Sequence, residues 1–220
     1  VRTVSRGPHT ASRLMAAMAL TAAMALSACG SDASGSGGGP GNTDLAGMVR
    51  SPALAVGDVE LPDAAAGGEP AAMRAAEGDL LLVYFGYTFC PDICPTTMSD
   101  ISVALNELPD DLSDRVEIAM VTVDPDRDTD EVLTAYLGHF FDRSRALRAD
   151  DPTLVDAAAD AFGVRYEVED HATGDLEYEV SHSAVTYVVD DTGSVVVEWP
   201  FGLDSLDMAA DLQKLLTKES

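Results

Sequence analysis

The sequence predicts an α/β domain: a central mixed sheet flanked by helices, with an N-terminal hairpin as an extension. Three observations carry that expectation. Apolar runs of strand length lie at residues 80–85 and 116–123, helical spacing of apolar residues separates and follows them, and a strand–turn–strand pattern stands near the C-terminus. With 46% hydrophobic and 23% charged residues over 220 positions, the composition suits one globular domain plus accessory segments.

Taken in order, residues 45–78 are Pro-, Gly- and Ala-rich, with a short apolar stretch at 54–59, and read as edge strands or a hairpin. Leu80-Leu81-Leu82-Val83-Tyr84-Phe85 lies between Asp79 and Gly86 and reads as a strand buried on both faces. Residues 88–95 form a loop whose Pro95 suits the first turn of a helix. That helix places Met98, Ile101, Leu105 and Leu108 on one face and ends before Pro109. The second strand covers residues 116–123. Asp128 or Thr129 then caps a helix carrying Val132, Leu133, Tyr136 and Leu137. Another helix spans 152–162 with Gly163 past its end. Strands at 184–189 and 195–199 flank Asp190-Asp191-Thr192-Gly193, which is hairpin-turn chemistry, and an amphipathic helix covers 206–216. A helical crossover between the first two strands makes them parallel. The terminal hairpin adds an antiparallel edge, which completes a thioredoxin-like layout.

The N-terminus reads as a targeting device. Residues 1–28 carry Arg2, Arg6 and Arg13 and no acidic residue, and the apolar run at 14–26 is too short to span a membrane. It closes as Leu26-Ser27-Ala28-Cys29, which resembles the bacterial lipobox, where the Cys is lipidated and becomes the mature N-terminus. The expected organisation is therefore a lipoprotein-type signal peptide over 1–28, a flexible Gly/Ser tether over 29–44 and one domain over 45–220. Lipidation of Cys29 also resolves the odd cysteine count, because it leaves Cys90 and Cys94 as a pair. The mature chain would hold 10 Lys+Arg against 38 Asp+Glu, a formal charge of −28. That balance argues against nucleic acid as a partner and against adsorption to anionic lipid by charge alone. Such acidity reads as a high-salt habitat or a general solubility strategy, or as a surface that attracts cations or a basic partner face.

Chemistry concentrates in Tyr84-Phe85-Gly86-Tyr87-Thr88-Phe89-Cys90-Pro91-Asp92-Ile93-Cys94-Pro95. Two thiols stand four residues apart where a buried strand gives way to a helix N-terminus, a setting that favours the thiolate, the reactive and metal-binding form. One helical turn can bring the sulfurs onto one ion or together as a disulfide. The cysteines alone leave both uses open. Among the histidines, His9 belongs to the leader, His139 reads as a capping or packing residue, and His171 reads as a solvated residue of a polar hairpin tip. His182 directly precedes the strand at 184–189, and in this layout the loop there runs beside the cysteine-bearing helix N-terminus. Two thiolates and one imidazole suit copper, Cu(I) above all. Structural zinc normally wants four protein ligands, and three suit an ion that is passed on.

The stretch from Gly86 to Pro95 resembles the signature of the Sco/SenC copper-assembly proteins. Val123-Asp124-Pro125-Asp126-Arg127-Asp128-Thr129, His182-Ser183-Ala184 and the strand–turn–strand after it agree. The resemblance implies a membrane-tethered, extracytoplasmic thioredoxin-like domain that binds copper, as Cu(I) or Cu(II), through Cys90, Cys94 and His182. It implies cytochrome c oxidase subunit II as the partner whose binuclear copper centre is assembled, with a copper donor protein as a further candidate partner. Some members of that family act instead, or also, as thiol–disulfide reductases, with Cys90 and Cys94 as the redox pair. Asp124 reads either as a strand-end residue or as one that orients a ligand. Peroxide reduction is the weakest reading, since Thr88-Phe89-Cys90 only loosely resembles a T-x-x-C motif and no Arg lies nearby in sequence.

Overall fold

The structure, a computed structural model, describes residues 44–217. The expected signal peptide with His9, Cys29 and the tether as far as residue 43 lie outside the described residues. Among the described residues no helix is long and apolar enough to cross a membrane.

The chain opens with a hairpin of β1 (Glu60–Asp63) and β2 (Glu69–Ala72), joined by a 3-10 turn at Ala64–Ala66. It forms within the Gly- and Ala-rich stretch because tertiary contacts supply what propensity lacks. Asp63 is only 7% exposed, and its Oδ1 accepts from Ala65 N and from Ala146 N, tying the hairpin to the sheet. β3 (Leu80–Gly86) leads to α1 (Ile93–Asn106), a short α2 (Asp110–Ser113) and β4 (Val116–Thr122). There follow α3 (Asp130–Leu137), β5 (Ser144–Leu147), α4 (Pro152–Phe162), β6 (Tyr166–Val168), β7 (Val180–His182), β8 (Val185–Val189), β9 (Val195–Pro200) and α5 (Ser205–Thr217).

Seven strands form one mixed sheet in the order β2-β1-β5-β4-β3-β8-β9. β3 and β4 pair in parallel, as do β4 and β5, whereas β8 runs antiparallel to β3 and β9 to β8. The central strand β3 is buried throughout, which explains its unbroken apolar run. Its alternate side chains face opposite layers: the Tyr84 hydroxyl reaches Cys94 of α1, while the Phe85 ring packs 5.4 Å from Phe162 of α4. Leu81, Leu82, Val83 and Phe85 are wholly buried, each worth roughly 1.5–3 kcal/mol relative to exposure. This is the thioredoxin-like architecture that the element order predicts.

The helix ends follow local chemistry. Asp151 caps α4 by accepting from Thr153 N, Pro152 opens it, and Gly163 closes it with φ +71°, a conformation that favours glycine. Thr129 caps α3 by accepting from Val132 N, whereas Asp128, the other expected cap, turns inward. One strand departs from expectation: Ser-Arg-Ala-Leu carries no strand pattern of its own, yet it forms β5 by pairing along β4. The hairpin tip expected at residues 169–174 lies between β6 and β7, which pair with each other as a separate two-stranded ribbon.

The register of β8 matters most for the site. Tyr84 pairs with Thr186 and Leu81 with Val189, so the beginning of β8 lies beside the end of β3. His182, three residues ahead of β8, is thereby brought to the place where the cysteine segment leaves the sheet.

Candidate metal centre

Cys90 and Cys94 belong to the connection from β3 into α1. Cys94 is the second residue of α1 and fully buried, while Cys90 stands at the rim, 9% exposed. Both are free thiols, and the Cys94 backbone N–H donates to Cys90 Sγ at 3.3 Å. Gly86 makes this packing feasible: a Cβ there would lie 2.7 Å from the Tyr84 ring and 3.0 Å from Cys94 Sγ.

His182, the last residue of β7, brings its Nε2 to 3.3 Å from Cys94 Sγ. Its Nδ1 lies 3.1 Å from the Ser183 carbonyl oxygen. A carbonyl only accepts, so Nδ1 carries the proton and the Nε2 lone pair faces the sulfur. Tyr84 and Tyr87 present their rings at right angles to the imidazole, each with centroids 5.8 Å away. The three ligand atoms of Cys90, Cys94 and His182 all lie within 4.8 Å of one another.

Burial sets the protonation states. It pushes the Cys94 thiol up to about 12, overriding the thiolate expected at a helix N-terminus, so the metal-free protein keeps that proton at neutral pH. Burial also lowers His182, against a smaller opposing contribution from the Ser183 carbonyl, which keeps the imidazole neutral and able to ligate. Cys94 S–H donating to Nε2, with Tyr84 O–H donating to the sulfur at 3.7 Å, satisfies both groups. A metal ion entering here must displace the Cys94 proton. Two soft sulfurs and one nitrogen on close centres fit a soft ion of low coordination number.

The structure therefore brings together the three residues singled out as ligands. The remaining candidates go elsewhere. His139 is exposed and donates from Nδ1 to the Ala135 carbonyl at 2.6 Å, closing the end of α3. His171 is not the solvated tip residue expected from its neighbours: its ring stacks on Tyr178 at 3.7 Å and its Nε2 meets Asp126 Oδ2 at 2.9 Å. Asp124 is not among the three converging ligands; it accepts from Arg127 Nε and from the Tyr178 hydroxyl, both at 2.5 Å.

Sequence reasoning missed the supports. Asp128, fully buried, accepts from Thr88 N, from Thr88 Oγ1 at 2.5 Å and from Thr122 Oγ1 at 2.6 Å, bracing the loop ahead of Cys90. Burial raises its pKa, opposed by those same bonds. A helix-start motif offered two acidic or hydroxyl caps, and nothing in the sequence says which one turns inward. Tyr84 was read as an apolar strand residue and Tyr87 as part of the cysteine motif, neither as a support for the histidine.

The sequence model of the SCO1/SenC family matches residues 53–217. Among curated proteins, the chain is 37% identical over 116 residues to the SCO2-like protein RP587 of Rickettsia prowazekii, a match covering 53% of this chain and 56% of the relative. The chain thus spans little more than half of that relative's length. The solution structure of apo Sco1 from Thermus thermophilus is similar at 32% identity and TM-score 0.66, covering 78% of this chain and 96% of that one. The structure of Bradyrhizobium japonicum ScoI with copper bound is similar at 29% identity and TM-score 0.61, covering 71% of this chain and 96% of that one.

Proposed function

The chain belongs to the SCO1/SenC family, and we propose that it is a lipid-anchored, extracytoplasmic metallochaperone. It takes up copper on Cys90, Cys94 and His182 and passes it to the binuclear copper centre of cytochrome c oxidase subunit II. The observation that carries this reading is the convergence of two sulfurs and one imidazole nitrogen within 4.8 Å. The copper-bound relative from Bradyrhizobium japonicum supports the choice of metal, and the lipobox-like Leu26-Ser27-Ala28-Cys29 supports the anchor.

Copper is the cargo, and the residues divide its handling. His182 arrives neutral, so it ligates without first losing a proton. Cys94 gives up its proton to solvent as the ion binds. Cys90, at the rim, is the ligand that an acceptor's own sulfur or imidazole can displace first, with the buried Cys94 released last. Oxidation of both thiols to a Cys90–Cys94 disulfide delivers two electrons and two protons to an oxidant and removes both soft ligands, so loading depends on the reduced form.

A second reading, thiol–disulfide reductase, is favoured by the unequal burial of two free thiols. Cys90 at the rim would attack a partner disulfide to form a mixed disulfide. Cys94 would then resolve it, leaving the partner with two thiols and this chain with one disulfide.

The His182→Ala variant separates the two readings. The chaperone reading expects one Cu(I) per reduced wild-type chain, weakened binding in the variant, and failure of that variant to restore oxidase assembly in cells lacking this protein. Disulfide exchange by the variant should stay intact. Restoration equal to wild type would overturn the chaperone reading in favour of the reductase.

A further inference from the structure

Building on the copper reading above, we propose that Arg127 is a positioning residue for the metal site, fastening the β6–β7 ribbon to the turn after β4 and so holding His182 at the sulfurs. The ribbon needs such a fastening, because it pairs with none of the seven strands of the main sheet. Its loop is gripped by one guanidinium. Arg127 Nη1 donates to the carbonyl oxygens of Leu176 at 3.2 Å and Tyr178 at 3.1 Å, while Nε donates to Asp124 Oδ2 at 2.5 Å. The guanidinium carbon lies 3.8 Å from the centre of the Tyr178 ring, and the Tyr178 hydroxyl returns to Asp124 Oδ1 at 2.5 Å. Two residues further along, the Tyr87 hydroxyl donates to the Val180 carbonyl at 3.1 Å, at the first residue of the strand that ends in His182.

Arg127 is only 8% exposed and Asp124 only 1%, so this is a buried pair. Burying two charges is a poor source of net stability. What the pair accomplishes is geometric. A planar fork serves a carboxylate and two main-chain carbonyls at once, a task that the single ammonium of lysine does not match. The carbonyls it serves belong to the segment that carries the histidine. The neighbouring Asp128 braces the loop that carries the cysteines, so one turn fixes both arms of the site.

The test uses the full reduced chain as wild type, Arg127→Gln, His182→Ala and the double variant, with Tyr178→Phe as a milder change. Cu(I) affinity is read by competition with a chromophoric chelator, the Cu(II) site by its visible spectrum, and folding by circular dichroism. Arg127→Gln is expected to weaken Cu(I) binding by about 10–100-fold, the range found for residues that orient metal ligands. Its spectrum should move toward that of His182→Ala, and the double variant should bind no more weakly than His182→Ala alone. Tyr178→Phe should shift both readouts in the same direction by less. A wild-type spectrum and affinity in Arg127→Gln would overturn the proposal, as would a double variant that loses the product of the two single losses. If Arg127→Gln does not fold, Tyr178→Phe decides, and wild-type behaviour there overturns it. His182→Ala matching wild type would instead sink the ligand set itself, and this proposal with it.

Discussion

The two arms of the site are built on different foundations. Cys90 and Cys94 leave β3, whose residues are all buried and which pairs in parallel with β4 and antiparallel with β8. Among the described residues, His182 ends a three-residue strand that pairs with β6, follows a loop that Arg127 bonds at Leu176 and Tyr178, and accepts from the Tyr87 hydroxyl at Val180. The difference teaches how a fold can offer a metal both a fixed half and an adjustable half. The sulfurs are placed by hydrophobic packing, which tolerates little movement. The imidazole packs against the Tyr84 and Tyr87 rings on a ribbon outside the main sheet, whose loop is held by side-chain hydrogen bonds.

The largest expected effect lies in the fixed arm. Cys94→Ser should abolish stoichiometric Cu(I) binding, because the replaced atom is the buried ligand to which His182 is already bonded in the metal-free state. Retention of tight one-to-one binding, measured by chelator competition, would break the comparison at its base. A second test presses on packing. Gly86→Ala would push a Cβ to 2.7 Å from Tyr84 and 3.0 Å from Cys94 Sγ, and the forced shift should cost about 1–3 kcal/mol of stability. Denaturant unfolding should show that loss together with weakened copper binding, whereas an equally stable variant would mean that the fixed arm is softer than described.

The adjustable arm predicts smaller effects. Amide protection at residues 166–168 and 180–182 should fall well below that at residues 81–85, as expected for a ribbon held outside the main sheet. It should also depend on pH. His171 Nδ1 faces the Glu169 carbonyl and Nε2 faces Asp126 Oδ2, both at 2.9 Å, so both bonds persist only in the imidazolium form. The Glu169 carbonyl and then Asp126 raise its pKa in the fold. The stabilisation is therefore fully present below the unfolded value of about 6.5 and is lost as pH rises through the higher folded value. Ribbon protection factors should decline over that rise in wild type and stay flat in His171→Ala. An unchanged decline in the variant would remove His171 from the latch.

The same contrast explains what could be read from the sequence. β3, β4, α4 with Gly163 and the β8–β9 hairpin were legible because their apolar periods and turn residues encode them locally. β5 was not, since Ser-Arg-Ala-Leu becomes a strand only beside β4. Cys90, Cys94 and His182 stood out because thiols and imidazoles are few in this chain. Arg127, Asp128 and Tyr178 did not, because a charged residue in a turn usually faces water and its burial is settled by distant parts of the chain. His171 was misjudged for a similar reason: its acidic neighbours in sequence suggested a wet loop, whereas it stacks on Tyr178 across the tip and bonds Asp126, which is remote in the chain.

The most direct test of the central claim is copper X-ray absorption on the reduced, Cu(I)-loaded full chain beside His182→Ala. Convergence of the two arms on one ion predicts sulfur and imidazole scattering in wild type and loss of the imidazole contribution alone in the variant. Sulfur-only coordination in wild type, or imidazole scattering that survives the substitution, would contradict it.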